Sequence, residues 1–68
     1  MNVPIRVNGV EHEFVPGETV AALVERLGRD ARLVAVERNA EVVPRRCWSE
    51  TTVAAGDRIE IVSFVQGG

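Results

Sequence analysis

The sequence has no lysine, one cysteine, one histidine and no long apolar run. A single cysteine excludes an intramolecular disulfide, a two-cysteine zinc clip and a cysteine-ligated iron–sulfur cluster. Without lysine, the chain has no lysine Schiff-base chemistry and no lysine side chain to modify. No window approaches a membrane span, and the amino terminus has no apolar run of signal-peptide length. We therefore expect a soluble cytoplasmic protein that needs no oxidising compartment.

The net charge and the chain length further limit the kind of protein that this sequence can encode. The net charge is −2, and the eight basic residues, all arginine, are spread along the 68 residues. This pattern predicts no attraction to nucleic acid or to an anionic membrane. A hydrophobic fraction of 46% with 26% charged residues is typical of a globular chain. The length suffices for one domain, residues 1–68.

The chain is predicted to begin with a β-hairpin. Asn8-Gly9 separates two alternating segments, and this dipeptide suits a type I′ turn, in which both central residues need positive φ. The two-residue loop predicts three pairs on the inward face: Val7 with Val10, Ile5 with His12, and Val3 with Phe14.

A helix is predicted next, with Thr19 as its N-cap and Gly28 just past its end. Its apolar stripe, at helical spacing, consists of Val20, Leu23, Val24 and Leu27. One helix cannot bury such a stripe alone, so we expect it to lie across a sheet.

The remaining strands are predicted at 33–37, 41–43 and 58–65, with a turn at Asn39-Ala40 and a loop or short helical turn at 45–52. The last strand is expected beside the first and parallel to it, with the helix in the crossover. The order predicts an α+β, ubiquitin-like β-grasp fold, in which one helix packs across a mixed sheet of four to five strands.

Catalysis by side chains has little support in the sequence. No motif would place Ser49 or Ser63 beside His12 in a catalytic set. His12 is predicted to be a packed or rim residue, and Cys47 a small half-buried one with no neighbouring base to activate it. No glycine-rich phosphate loop precedes the helix.

The carboxyl terminus carries the clearest functional pattern. The last predicted strand runs into a tail, about residues 65–68, which we expect to be flexible and which ends in Gly67-Gly68. Two residues without a Cβ make the tail slim enough to thread a narrow channel. A glycine carboxylate is also the least hindered acyl group that a chain can offer to another protein's active site.

The last strand also presents a possible docking surface. Ile59 and Ile61 are predicted to face the core, and the opposite face carries Arg58, Glu60, Val62 and Phe64. Two sizeable apolar groups near the tail on an uncovered face can mark a site of protein–protein contact. The alternative is that Phe64 folds over the sheet edge and packs locally.

Several motifs carry a family resemblance: Val7-Asn8-Gly9, Gly17-Glu18-Thr19-Val20 leading to Leu23 and Leu27, Val42-Val43-Pro44-Arg45 followed by Trp48, Gly56-Asp57-Arg58-Ile59-Glu60-Ile61-Val62, and Gly67-Gly68. Taken together they make the chain resemble the ThiS family, the sulfur carriers of thiamine thiazole biosynthesis, over nearly its whole length.

The resemblance implies a protein co-substrate rather than an enzyme. A partner adenylating enzyme would use ATP and magnesium to convert the Gly68 carboxylate into an acyl-adenylate. Sulfur originating from a cysteine desulfurase would then displace AMP and leave a thiocarboxylate, from which a thiazole synthase takes the sulfur. No stably bound cofactor or metal is implied for the carrier itself. The reacting end is Gly68 with Gly67, and the expected partner contacts are Gln66, Val65, Phe64, Val62 and Arg58.

Two other interpretations stay open. Sulfur carriers of other pathways share this fold, such as the small subunit of molybdopterin synthase or a carrier for cysteine synthesis. From a different class, a ubiquitin-like modifier would join its terminal glycine to target lysines. A non-covalent binding module would keep its partner after Gly67 and Gly68 were removed.

Overall fold

The structure is a computed structural model that describes residues 3–64, and within that range it contains five strands and one α-helix. In chain order, the elements are β1 (Ile5–Val7), β2 (Val10–His12), α1 (Val20–Arg26), a 3₁₀ turn (Ala31–Leu33), β3 (Val34–Arg38), β4 (Glu41–Val42), a second 3₁₀ turn (Arg45–Cys47) and β5 (Arg58–Ser63).

The strands form one mixed sheet in the order β2-β1-β5-β3-β4. The final strand lies in the centre, parallel to β1 and antiparallel to β3. The helix belongs to the connection that returns the chain to the sheet beside β1. This arrangement confirms the predicted β-grasp fold and the predicted insertion of the last strand next to the first.

The opening hairpin has the predicted turn and register. Asn8 and Gly9 both have positive φ, 51° and 83°, and Val7 lies opposite Val10. The ladder ends at Ile5 and His12, however, so the predicted third pair, Val3 with Phe14, lies outside the strands. Phe14 instead packs, half-buried, against the core.

Val10 lies opposite buried Val7 and so shares its face, as predicted, but it is 59% exposed rather than covered. Strand β2 is an edge strand with a neighbour on one side only, so an apolar residue there gains less cover than its partner Val7. Strict alternation along a strand therefore overestimates burial at the edge of a sheet.

The helix begins and ends where its capping residues predict. The Oγ1 of Thr19 accepts a hydrogen bond from the N–H of Ala22 at 3.1 Å. The chain leaves the helix through Leu27, and Gly28 takes a positive φ of 73°. This left-handed conformation after a helix favours glycine because a Cβ would clash with the backbone.

The core lies between the helix and the inner face of the sheet. Its buried apolar residues are Ile5, Val7, Val20, Leu23, Val24, Val34, Val36, Trp48, Val53, Ile59 and Ile61. The sequence predicts a loop or short helical turn around Trp48, and in the structure its indole is buried and its Nε1–H donates to the carbonyl of Val43 at 2.9 Å. The loop that carries Trp48 therefore contributes a buried side chain to the core.

This loop also completes the start of the helix. The N–H of Val20 donates to the carbonyl of Thr51, and the N–H of Ala21 donates to that of Trp48. The first N–H groups of a helix have no partner within it, so the loop satisfies donors that burial would otherwise penalise. No helix in the part of the chain that the structure describes is long and apolar enough to cross a membrane.

Candidate functional site

Strand β5 separates its side chains onto two faces. Ile59 and Ile61 are buried beneath the helix, whereas Arg58, Glu60 and Val62 point to the uncovered face. The strand ends at Ser63 rather than at residue 65, but the N–H of Phe64 still donates to the carbonyl of Leu33 at 2.7 Å. Phe64 therefore remains fixed beside the start of β3.

An exposed apolar patch surrounds the end of this strand. Val62 and Phe64 are 53% and 59% exposed, so more than half of each is uncovered, whichever neighbours Phe64 packs against at the sheet edge. The register places Ala35 of β3 beside Val62, and exposed Val42 of β4 lies on the next strand. We call Ala35, Val42, Val62 and Phe64 the tail-proximal patch, because it ends at Phe64, four residues before Gly68.

A shallow cavity of about 190 Å³ adjoins the tail-proximal patch. Its lining combines patch residues with residues of β3 and of the loop after β4: Val34, Ala35, Val42, Val43, Pro44, Arg45, Trp48 and Phe64. The Arg45 guanidinium lies 5.0 Å from the centre of the Trp48 ring, within the range of a cation–π contact. The patch is thus an apolar surface with a depression and a cation at its rim.

The other half of the uncovered face is charged. Arg58 lies beside Arg6 of β1, and Glu60 lies beside Glu37 of β3. Like charges on neighbouring strands do not stabilise a sheet. Arg58, predicted as a partner contact, therefore lies on the same face as Val62 and Phe64 but among charges rather than within the apolar patch.

Asp57 anchors the beginning of β5. Its buried carboxylate accepts hydrogen bonds from Arg38 Nε at 2.6 Å, Asn39 Nδ2 at 2.9 Å and the N–H of Ala54 at 2.8 Å. Burial acts to raise the pKa of Asp57, but these hydrogen bonds and the charge of Arg38 outweigh it, so the pKa is lowered. In the sequence, Asp57 stands out only as a residue of a turn and of a family motif. The available signal was an aspartate between a turn glycine and the start of a strand.

The other chemistry-bearing residues are scattered. His12 is half-buried at the end of β2, and Cys47 is half-buried in the second 3₁₀ turn. Among residues 3–64, no three His, Cys, Asp or Glu side chains are grouped so that they could hold a metal ion. The predicted site residues Val65, Gln66, Gly67 and Gly68 lie outside the described residues.

Comparison with known proteins gives consistent matches. The model of the ThiS family matches residues 5–68. The chain is 35% identical over 64 residues to the sulfur carrier protein ThiS of Escherichia coli, and the alignment covers 94% of this chain and 97% of that protein. It superposes on the crystal structure of the thiamine biosynthesis protein (ThiS) from Geobacter metallireducens with a TM-score of 0.77 and 38% identity, covering both chains completely.

A second kind of relative is much longer. The chain is 48% identical over 62 residues to a thiazole synthase of Paramagnetospirillum magneticum. That alignment covers 91% of this chain but only 19% of the relative, so the chain spans about a fifth of that protein's length.

Proposed function

Because the chain belongs to the ThiS family of sulfur carriers in thiamine biosynthesis, we propose that it carries sulfur as a thiocarboxylate on Gly68 and delivers it for thiazole formation. The observation that carries this proposal is the course of β5. This strand is held in the centre of the sheet, presents the tail-proximal patch on its uncovered face, and leads directly into Val65-Gln66-Gly67-Gly68.

The chemistry begins with activation, since a carboxylate is too poor an electrophile to accept sulfur. A carboxylate oxygen of Gly68 attacks the α-phosphorus of ATP, and pyrophosphate leaves. Magnesium held with the nucleotide by the partner enzyme offsets the phosphate charge. The terminal sulfur of a persulfide, formed by a cysteine desulfurase, then attacks the acyl carbon and AMP leaves. Attack by a partner thiol on the resulting S–S bond releases the thiocarboxylate and forms a disulfide.

In this scheme the chain's own residues bind the partner enzymes and present the Gly68 carboxylate to them. The partner enzymes catalyse the reactions. The tail-proximal patch would dock on the adenylating enzyme, so that the tail enters the active site while the sheet stays outside. Aromatic and aliphatic groups that become fully covered supply most of the affinity in such contacts. Arg58, Glu60 and Glu37 would border the contact and influence the orientation of docking.

Thiazole synthase is proposed as the protein that receives the sulfur. The support is the thiazole synthase of P. magneticum, which contains a segment 48% identical to this chain. A carrier-like segment within a protein of that name favours a partnership between the two activities. The same patch and tail would then be used with two partners in succession.

A series of tail variants tests the proposal. The unchanged chain, a variant lacking Gly68, and a variant with one alanine added after Gly68 would each be incubated with a thiamine-pathway adenylating enzyme, a thiazole synthase and a sulfur source. We expect sulfur transfer from the unchanged chain only, with equal melting temperatures for all three, because none of the described core residues is changed. Full activity of the extended variant would overturn the assignment of Gly68.

A further inference from the structure

Asn8 makes an unusual contact with the strand that leads to the tail. Its Nδ2 donates to the carbonyl of Ile61 at 3.1 Å, and its Oδ1 accepts from the N–H of Ile61 at 2.7 Å. A side-chain amide offers one face with the same donor and acceptor as a backbone peptide group. Asn8 thereby continues the pairing of β1 with β5 past Val7, where β1 ends.

The contact depends on the hairpin turn. The backbone N–H of Asn8 donates to the carbonyl of Ile59 at 2.9 Å, and its φ of 51° lies in the left-handed region. Asparagine tolerates this region better than other residues with a side chain. The turn that closes the hairpin therefore also places an amide beside β5, two residues before the strand ends at Ser63.

A second asparagine makes a similar contact at the opposite end of the same strand. Asn39 also has a φ of 51° and opens the turn between β3 and β4. Its Oδ1 accepts from the N–H of Arg58 at 2.9 Å, and its Nδ2 donates to Asp57 at 2.9 Å. Asn39 thus bonds the beginning of β5, whereas Asn8 bonds Ile61, next to Val62, from the β1 side of the strand. On its other side this part of β5 pairs with β3 as far as Ser63.

We propose that Asn8 is a positioning residue for the tail, a role that rests on the proposed sulfur-carrier function. By holding Ile61 it fixes the direction in which β5 leaves the sheet, so that the tail-proximal patch and the Gly68 carboxylate reach the adenylating enzyme together. Without this clamp the end of β5 samples more orientations, and docking must order it again. The effect falls on binding of the carrier rather than on its chemistry.

The test compares Asn8→Gly with the matched control Asn39→Gly. Glycine accepts the positive φ at both turns, and each variant loses two side-chain hydrogen bonds to the region of β5. We expect the KM for the carrier in adenylation to rise about tenfold in Asn8→Gly with kcat little changed. Asn39→Gly, which also removes a partner of Asp57, should lower the melting temperature at least as much yet leave KM within about twofold. Equal KM values for the two variants would overturn the proposal.

Hydrogen exchange separates failure of this inference from failure of the proposed function. The N–H of Phe64, bonded to Leu33, should exchange about tenfold faster in Asn8→Gly than in Asn39→Gly, with no partner present. Equal exchange rates at Phe64 in the two variants would overturn the positioning role of Asn8, even if the original chain is adenylated. Should the unchanged chain not be adenylated at all, the proposed function fails, and the exchange data alone decide whether Asn8 orients the end of β5.

A third variant covers the case in which Asn8→Gly does not fold. In Asn8→Asp one carboxylate oxygen can still accept from Ile61 N–H, but the other has no proton to donate to the Ile61 carbonyl. We expect intermediate values of both KM and exchange at Phe64. Values equal to those of the unchanged chain would contradict the role assigned to the side-chain amide.

Discussion

The two faces of β5 differ strongly in exposure. On the inner face Ile59 and Ile61 are 1% and 4% exposed, and on the outer face Val62 and Phe64, one to five residues away in the chain, are 53% and 59% exposed. The inner face belongs to the core, and the proposed function assigns the outer face to a partner. Because neighbouring residues of a strand point in opposite directions, substitutions on β5 can separate stability from binding.

The largest effect is expected on the inner face. Ile59→Ala removes a fully buried side chain from the centre of the core and should lower the free energy of unfolding by about 3 kcal/mol. Urea denaturation measures this, with Arg58→Ala as the control on the opposite face, where the change should stay within about 0.5 kcal/mol. Similar losses in both variants would show that the two faces of β5 are not separate.

A smaller loss of stability is expected where β5 begins. Asp57→Asn removes the charge that Arg38 and Asn39 bind, which should cost about 2 kcal/mol. In the unchanged chain the pKa of Asp57 is lower in the folded state than in the unfolded state. The ionised carboxylate therefore stabilises the fold above the unfolded pKa of about 3.9, and this stabilisation is lost as the pH falls through the folded value.

Thermal unfolding as a function of pH tests this linkage. The melting temperature of the unchanged chain should fall as the pH is lowered from 5 to 2, and Asp57→Asn should show a shallower decline over the same range. Parallel curves for the two proteins would mean that Asp57 does not supply the pH dependence.

Substitutions on the outer face of β5 should weaken partner binding rather than lower stability. Phe64→Asp places a charge in the tail-proximal patch and should weaken binding to the adenylating enzyme about tenfold or more. Val10→Asp is a matched control, because Val10 is also 59% exposed but lies on β2 at the far edge of the sheet. If Phe64→Asp lowers the melting temperature far more than Val10→Asp does and leaves Kd for the enzyme unchanged, Phe64 belongs to the core.

The smallest effect is expected at Cys47, which lies on neither face of β5. Cys47→Ser should change stability by less than about 1 kcal/mol and leave sulfur loading unaltered, because the proposed sulfur site is on the tail. Loading can be followed by the mass of the product. Loss of loading in a folded Cys47→Ser variant would give the thiol a role that the present account does not include.

Local patterns predicted most of the fold. The Asn8-Gly9 turn, the Thr19 cap, Gly28 after the helix and the alternation of Ile59 with Glu60 each depend on a few neighbouring residues, and the structure confirms all of them. The placement of the last strand beside the first followed from the need to cover one helix with one sheet. These features depend on chain geometry and on short-range periodicity.

What the sequence could not predict depends on contacts between distant residues. Asn8 and Ile61 are 53 residues apart, and nothing near either one indicates that their amide groups meet. Burial of Trp48 depends on how its loop folds against the helix, and exposure of Val10 depends on the position of β2 at the sheet edge. The outward residues of β5 were predicted correctly, but the neighbours that extend its charged and apolar halves across the sheet required the register with β1 and β3.

The most direct test of the central claim is the intact mass of the protein after incubation with the adenylating enzyme, ATP, magnesium and a persulfide source, followed by fragmentation. We expect a gain equal to the replacement of one oxygen by sulfur, located on Gly68 and dependent on ATP. An unchanged mass with an adenylating enzyme proved active on another ThiS-family carrier, or a sulfur located on Cys47, would contradict it.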